Sequence, residues 1–545
     1  MTCRNYRNNC TLFTHVTVCS WPEGWNLPPV LLRRSLHRVI VIAAFCTYLF
    51  SCSSAKNPSS SASPQSSLSP TENPLVAEYF VSSPFGGQAR VEFGLDTPYD
   101  RQTAWYDLPS GPSGISILVA GMKPSSSYHM RAEIRSEASS WFDVDHVFLT
   151  GPLPSINFPG LEVTRPADSA NAQESPGVEL INLTEPVSNL MEAVVADRDG
   201  NPIWFYDVGA DQANVPYPIR FLPNGHALIN IQSGTTGGTA LREIDLAGRT
   251  IRQLDASTLQ QTLQILGYPV EAFGFHHDFL PLPNGHLIVL ANAVKDFTDL
   301  AGFPGVSHVV GDLLIELDAK WNPVWYWSSF DHLDPNRHLM GLPDWTHSNA
   351  VVYMPDDGNL LLSVRNQSWI LKIDYRDGAG SGDILWRLGE GGDFMLTSVN
   401  PSDWFYAQHF PSLIGTDGSV ITMAVFDNGN LRIVDDRGST CGNVPAPACY
   451  SRATVFQIDQ SARTARLVWQ NRPGAFSFWG GSINQLQNSN IEFDMSAPFP
   501  QVAASRVIEI TQSDSPQIVW QLDIQHGHAY RAYRIPSLYL GVTWK

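Results

Sequence analysis

Three short histidine-bearing segments recur along this chain, each carrying groups suited to holding or attacking an anion. They are His276-His277-Asp278, Trp345-Thr346-His347-Ser348-Asn349 and Gln408-His409-Phe410. The richest surroundings run from Asp344 to Trp386. There His347 and Asn349 lie two apart, a spacing that on an extended strand turns both side chains to one face. After a Pro-Asp-Asp-Gly turn, a second apolar run brings Arg365 back past them, followed by Asn366, Gln367 and Ser368. A histidine, an amide and a guanidinium on neighbouring strands match the oxygens of a tetrahedral oxyanion such as sulfate or phosphate.

Three chemistries use grouped histidines. A metal site is one, since imidazole is a common ligand. A guanidinium among the same groups repels a cation, so no metal is assigned. General acid–base work on a sugar or ester is the second, but it ordinarily needs a carboxylate pair, and none is evident. The third is transfer of an anionic group through a histidine nucleophile, which splits one difficult displacement into two. Fixed donors must then hold the charge on the transferred group, a role open to Arg365, Asn349 and the remaining histidines. His129, His226, His286, His332 and His338 read as packed or surface residues, while His526 and His528 lie close enough to the C-terminus to approach the same place.

The elements that would position these groups repeat. An apolar residue and an Asp or other polar residue, a turn, and an apolar residue with Trp recur six times between about residue 175 and the end. The copies are Val195-Ala196-Asp197 to Ile203-Trp204, Ile244-Asp245 to Ile251 (no Trp) and Leu317-Asp318 to Val324-Trp325. They continue as Ile373-Asp374 to Leu385-Trp386, Ile458-Asp459 to Val468-Trp469, and Ile510-Thr511 to Val519-Trp520. Between them lie strand–turn–strand units such as Leu222-Pro223-Asn224-Gly225, Leu282-Pro283-Asn284-Gly285 and Met354-Pro355-Asp356-Asp357-Gly358. Two hairpins per repeat make a four-stranded blade, and six blades make a β-propeller over residues 175–545. The closing strand is expected to come from across the two ends of the repeat region. Inner strands of a propeller line its channel, so the three histidine segments should converge at one end of it.

Residues 74–160 read as a small β-sandwich. Ala89 to Leu95 and Ile115 to Val119 alternate apolar and polar, and Ser127-Tyr128-His129-Met130-Arg131 resembles the tyrosine-corner strand of fibronectin type III modules. The fold class expected is therefore all-β, a six-bladed propeller preceded by a fibronectin III-like sandwich. Length agrees, since 545 residues call for two or more domains. So does composition, with only 16% charged residues beside 41 Gly and 39 Pro, which marks a turn-rich β protein. A net charge of −18 argues against nucleic acid or an anionic membrane surface as partner.

Residues 1–52 combine an upstream segment without periodicity and a lipoprotein signal. The translation start is expected near Val30 or Leu31, before a basic run (Arg33, Arg34, His37, Arg38) and a 12-residue apolar core, Val39 to Phe50, too short to span a bilayer. Leu49-Phe50-Ser51-Cys52 resembles a bacterial lipobox, with Cys52 lipidated. Residues 53–73 read as a Ser/Pro-rich tether. The expected location is periplasmic or attached to the outer membrane. Of seven cysteines only Cys441 and Cys449 lie outside the first 52 residues, and they read as a disulfide closing a short loop in an exported protein.

These motifs together resemble the bacterial arylsulfate sulfotransferases. The resemblance rests on His276-His277-Asp278 with the following Pro-Asn-Gly, on Trp345 to Asn349, and on Ser363-Val364-Arg365-Asn366-Gln367-Ser368. It rests also on Gln408-His409 followed by Phe426-Asp427-Asn428-Gly429, and on the closing Tyr530-Arg531-Ala532-Tyr533-Arg534. It implies a six-bladed, PAPS-independent enzyme moving a sulfuryl group from a phenolic sulfate to a phenol by a ping-pong route, without a cofactor. By that resemblance His409 is the nucleophile. His277, His347, Asn349 and Arg365 hold the sulfuryl group, one histidine protonates the leaving phenolate, and the Cys441–Cys449 loop lies near the active centre. His276 and Gln408 join the substrate-binding set. Phe410 stands where a small hydroxyl residue is expected, Asn366 where a histidine is common, and Ala350 where a serine is. The partners implied are an aryl sulfate donor, a phenolic acceptor and a membrane reached through the lipid anchor, and the sandwich offers a surface on which two copies could pair. Two other readings of the same residues are a non-enzymatic exported binding or scaffolding propeller and a metal-dependent hydrolase.

Overall fold

A computed structural model describes residues 63–136, 140–154, 158–167, 175–184, 193–207, 218–232, 238–397, 403–442, 448–500 and 504–544. The expected signal, the start near Val30 and Cys52 lie outside the described residues. Ala62–Lys545 form one compact unit. Among the described residues no helix is long and apolar enough to cross a membrane.

The fold is all-β. Near the N-terminus, Gln65–Pro70, Ala77–Ser83 and Gly111–Val119 form one antiparallel sheet, while Gly87–Gly94 and Ser127–Arg135 centre a second. Gly87–Gly94 shows why the sequence folds this way. Ala89, Val91 and Phe93 are fully buried. The alternate Arg90 and Glu92 face outward and pair across the sheet with Glu133 and Arg131. Tyr128 Oη accepts the Lys123 N–H at 2.9 Å, the bond of a tyrosine corner. Gln65–Pro70 lies inside the stretch expected to be a tether. Its Ser-rich composition carries no strand signal because the pairing comes from the edge of Ala77–Ser83, and Leu68 packs on the core.

Six sheets of four or five strands then follow. The first joins Val178–Thr184, Ala193–Ala196 and Pro202–Tyr206 to the C-terminal strand His528–Ile535, so both ends of the repeat region share a sheet as expected. The third runs Gly274–Pro281, Leu287–Leu300, Phe303–Leu317 and Pro323–Ser328. The fourth runs Ser348–Met354, Asn359–Val364, Trp369–Ile373 and Ile384–Leu388. The fifth begins with His409–Asp417, and the sixth gains Gly160–Arg165 at its edge. Asn359–Val364 and Trp369–Ile373 are buried at every position because neighbouring elements cover both faces.

The repeated Asp and Trp have separate physical tasks. Asp197, Asp245, Asp318 and Asp459 each accept backbone N–H groups from their own turn at 2.8–3.0 Å, which fixes the hairpin. The Trp indoles reach from one sheet to the turn of the next. Trp204 donates to Leu246 O (2.7 Å), Trp327 to Gly382 O (3.0 Å), Trp386 to Gln460 Oε1 (3.2 Å) and Trp469 to Ser513 O (3.2 Å). Trp520 of the sixth sheet returns to Arg198 O of the first at 2.9 Å. In the second sheet, whose repeat lacks Trp, Arg252 donates to Ala319 O at 2.8 Å and lies over the Trp321 ring. In the third sheet the reaching residue is Trp327, two positions beyond the expected Trp325.

Candidate active site

The first strands of the third, fourth and fifth sheets lie side by side, and each breaks register where a candidate residue enters. The shifts fall between Phe275 and Phe279, between Ser348 and Ala350, and between His409 and Ser412. In the first sheet Asn182 pairs with Arg531 and Leu183 with Ala529, leaving Tyr530 as the extra residue. A bulge re-aims a side chain that a regular strand would turn away. His277 (φ 49°), His347 (φ 51°) and Phe410 (φ 41°) adopt left-handed backbone that non-glycine residues avoid, at a cost of about 1–3 kcal/mol each. The face rule for His347 and Asn349 therefore fails, since His347 is not extended and Asn349 occupies a bulge.

His409 is 1% exposed. Its Nδ1 is 2.8 Å from Asn428 Oδ1, and Nε2 accepts the Gly480 N–H at 3.3 Å. Gly480 has φ 63°, and a Cβ there would meet Ser496 Oγ, so only glycine brings that N–H in. Burial first, then the Arg365 charge, holds His409 well below the usual histidine pKa and keeps the ring neutral.

Arg365 opens a 3-10 turn after Asn359–Val364 and is 7% exposed. Nη1 donates to Asn366 Oδ1 (2.9 Å) and Nη2 to Phe478 O (3.0 Å). Met340 Sδ lies 3.7 Å from Nη1. The guanidinium pairs with no carboxylate among the described residues, and burial brings its pKa down to about 10.

The other histidines gather beside it. His277 lies 4.5 Å from His347 and 5.1 Å from His276, ring to ring, and 5.7 Å from the Tyr530 ring. Tyr530 in turn is 6.1 Å from His409. His276 Nδ1 is 2.9 Å from His277 Nδ1, and its Nε2 lies 3.3 Å from Asp312. Burial, then the neighbouring His347, pushes His277 well below its ordinary pKa. His347 is more open and pairs through Nδ1 with the Asp344 carboxylate.

Two expected substrate-binding residues are committed elsewhere. Gln408 turns its amide nitrogen to Trp369 O (2.9 Å) and Ser363 Oγ (3.2 Å), tying two sheets together. Asn349 donates to Gln408 O at 2.7 Å, and its buried Oδ1, which has no partner, is an acceptor and cannot hold an anion's oxygen. His276 is a link between Asp312 and His277.

Several contributors were not assigned roles from sequence. Arg531 donates to Asp278 Oδ1 (3.1 Å) and Asn349 O, which places a second buried cation beneath the histidines. Phe410 lies nearly parallel to Tyr533 (6.3 Å), with Arg531 4.4 Å over its ring. Trp479 meets His528 at 5.3 Å, whereas His526 is exposed. Asn428 and Tyr530 stood inside motifs noted in the sequence, but nothing local marks their orientation. The disulfide is formed, and Gly442 within its loop exchanges backbone and side-chain bonds with Asn430. A cavity of about 550 Å³ lined by Leu180, Phe221, Leu280, Tyr533 and Leu538 includes none of the site histidines.

A family model described as Arylsulfotransferase (ASST) matches residues 165–534. No curated protein matches the chain. Among solved structures, a putative 6-phosphogluconolactonase from Bacteroides fragilis is 10% identical with a TM-score of 0.34, covering 82% of this chain and 98% of its own. A Synechocystis apocarotenoid oxygenase mutant is 11% identical with a TM-score of 0.33, covering 87% of this chain and 95% of its own.

Proposed function

The chain belongs to the arylsulfotransferase family, and from that premise we propose that it moves a sulfuryl group from an aryl sulfate to a phenol through a sulfohistidine at His409. The observation that carries the reading is Arg365. A buried guanidinium with no counter-ion among the described residues, beside a buried neutral histidine, is arranged for an anionic ligand. In the first half-reaction His409 Nε2 attacks sulfur, the N–S bond forms and the S–O bond to the aryl group breaks. His347, oriented through Nδ1 by the Asp344 carboxylate, gives its proton to the leaving phenolate. In the second half-reaction His347 takes the acceptor's phenolic proton, that oxygen attacks sulfur, and Nε2 recovers its electron pair. His277, kept neutral, serves as a hydrogen-bonding partner of the sulfuryl group rather than as the acid.

The six sheets are blades of a propeller, a view supported by the Trp and Arg252 contacts that run sheet to sheet and return to the first, and the N-terminal sheets form a sandwich sharing core with it. The protein is exported and anchored by lipid at Cys52. Metabolic labelling with a tritiated fatty acid, lost in C52A, tests that part. Phenol-dependent release of nitrophenol from 4-nitrophenyl sulfate, undiminished by a chelator, tests the activity. Release that needs no acceptor and stops on chelation would refute it.

A further inference from the structure

The geometry points to Asn428 as the positioning residue that selects the tautomer of His409. Asn428 is fully buried, and its orientation is determined by its own partners. Nδ2 donates to Ser477 O at 2.7 Å and to Gly480 O at 3.0 Å. Rotating the amide by half a turn would press Oδ1 against both carbonyl oxygens, so Oδ1 must face His409. An oxygen 2.8 Å from Nδ1 can only accept, and the proton of the neutral ring therefore sits on Nδ1. The second ring nitrogen agrees independently, because Nε2 accepts the Gly480 N–H and must carry a lone pair. Gly480 takes part twice, its carbonyl orienting Asn428 and its N–H touching Nε2.

The inference rests on the reading of His409 as nucleophile and gives it a direction. With Nδ1 protonated, the lone pair of Nε2 releases the Gly480 N–H and attacks sulfur, which produces a ring bearing both the Nδ1 proton and the sulfuryl group. That ring is cationic, so the N–S bond breaks readily in the second half-reaction, and the proton never leaves Asn428. Without Asn428 the Nδ1 proton loses its acceptor and the Gly480 carbonyl loses a donor that holds it, so only the weakened Gly480 N–H opposes the tautomer protonated on Nε2, which lacks the attacking pair. In serine proteases a wrong histidine tautomer costs roughly 10⁴ in kcat. Here the ring itself attacks and both tautomers remain accessible, so a loss of roughly a hundredfold in kcat with little change in KM is expected for N428L.

The test is two-bond ¹H–¹⁵N NMR of histidine-labelled protein at pH 7, which reads the tautomer without turnover. The wild type should show His409, assigned by its absence in H409A, with Nδ1 protonated and Nε2 bare. In N428L the His409 signal should shift toward the Nε2-protonated form. A wild-type ring protonated on Nε2 would overturn the proposal whether or not N428L folds, as would a folded N428L with the wild-type tautomer and kcat. Failure of the nucleophile reading shows differently, as no sulfuryl group on His409 in a wild type whose tautomer is as described.

Discussion

Arg365 and Asn430 donate to one backbone oxygen, that of Phe478, at 3.0 and 2.9 Å. Asn430 also holds Gly442 in the loop that Cys441 and Cys449 close. The disulfide is thus three contacts from the guanidinium that carries the proposed function. Replacing both cysteines by alanine should lower stability by about 2.5 kcal/mol on the chain-entropy account of an eight-residue loop. It should also weaken donor binding severalfold as Phe478 O loses its second restraint. Denaturation and KM for 4-nitrophenyl sulfate measure the two effects, and an unchanged KM would sever the loop from the site.

Arg365 should show opposite effects on activity and stability. R365M should lose about 3–4 kcal/mol of transition-state stabilisation, the typical worth of one fixed donor, read as kcat/KM. Its melting temperature should hold or rise, because the substitution removes a buried charge that pairs with no carboxylate among the described residues. A variant that melts much earlier would make Arg365 a structural residue.

His347 is assigned as the acid, so its loss should depend on the leaving group. H347A should cost roughly 10²–10⁴ with phenyl sulfate and far less with 4-nitrophenyl sulfate, whose phenolate needs no proton. D344N should follow the same pattern more weakly. Equal losses with both donors would exclude the role.

Much of this was legible in the sequence, and the boundary is physical. The Asp turns and reaching Trp residues stand out because turn chemistry is local, and one element repeated six times, with strand–turn–strand units between copies, marks the sheets. Histidines at matching places in three successive units implied convergence: the His277 and His347 rings lie 4.5 Å apart, and Tyr530 stands 5.7 Å from His277 and 6.1 Å from His409. The register breaks at His277, Asn349, Phe410 and Tyr530 left no such mark, since one or two inserted residues change no composition. They reversed the alternation argument for His347 and Asn349. The partners of Gln408 were hidden for a related reason: Trp369 O and Ser363 Oγ lie some forty residues away and belong to another sheet. The strand at Gln65–Pro70 escaped because its partner supplies the pairing.

Asp494 provides a test of the packing that joins the sixth sheet to the C-terminal strand. It accepts from Ser482 Oγ (2.5 Å) and Ala532 N (3.1 Å), and burial pushes it up to about 7. A carboxyl raised above its unfolded value contributes stability that is full below about pH 4 and lost as pH rises through 7. D494N keeps the acceptor without titrating. Relative to the variant, the wild type should therefore lose on the order of a few kcal/mol between pH 4 and 8. Parallel denaturation curves across that range would show the carboxyl ionised throughout.

The most direct test of the central claim is the mass of the His409 peptide after the enzyme meets 4-nitrophenyl sulfate with no acceptor present. The account predicts one sulfuryl group on that peptide, absent in H409A and discharged when phenol is added. An unmodified peptide in an enzyme that transfers normally, or full transfer by H409A, would contradict it.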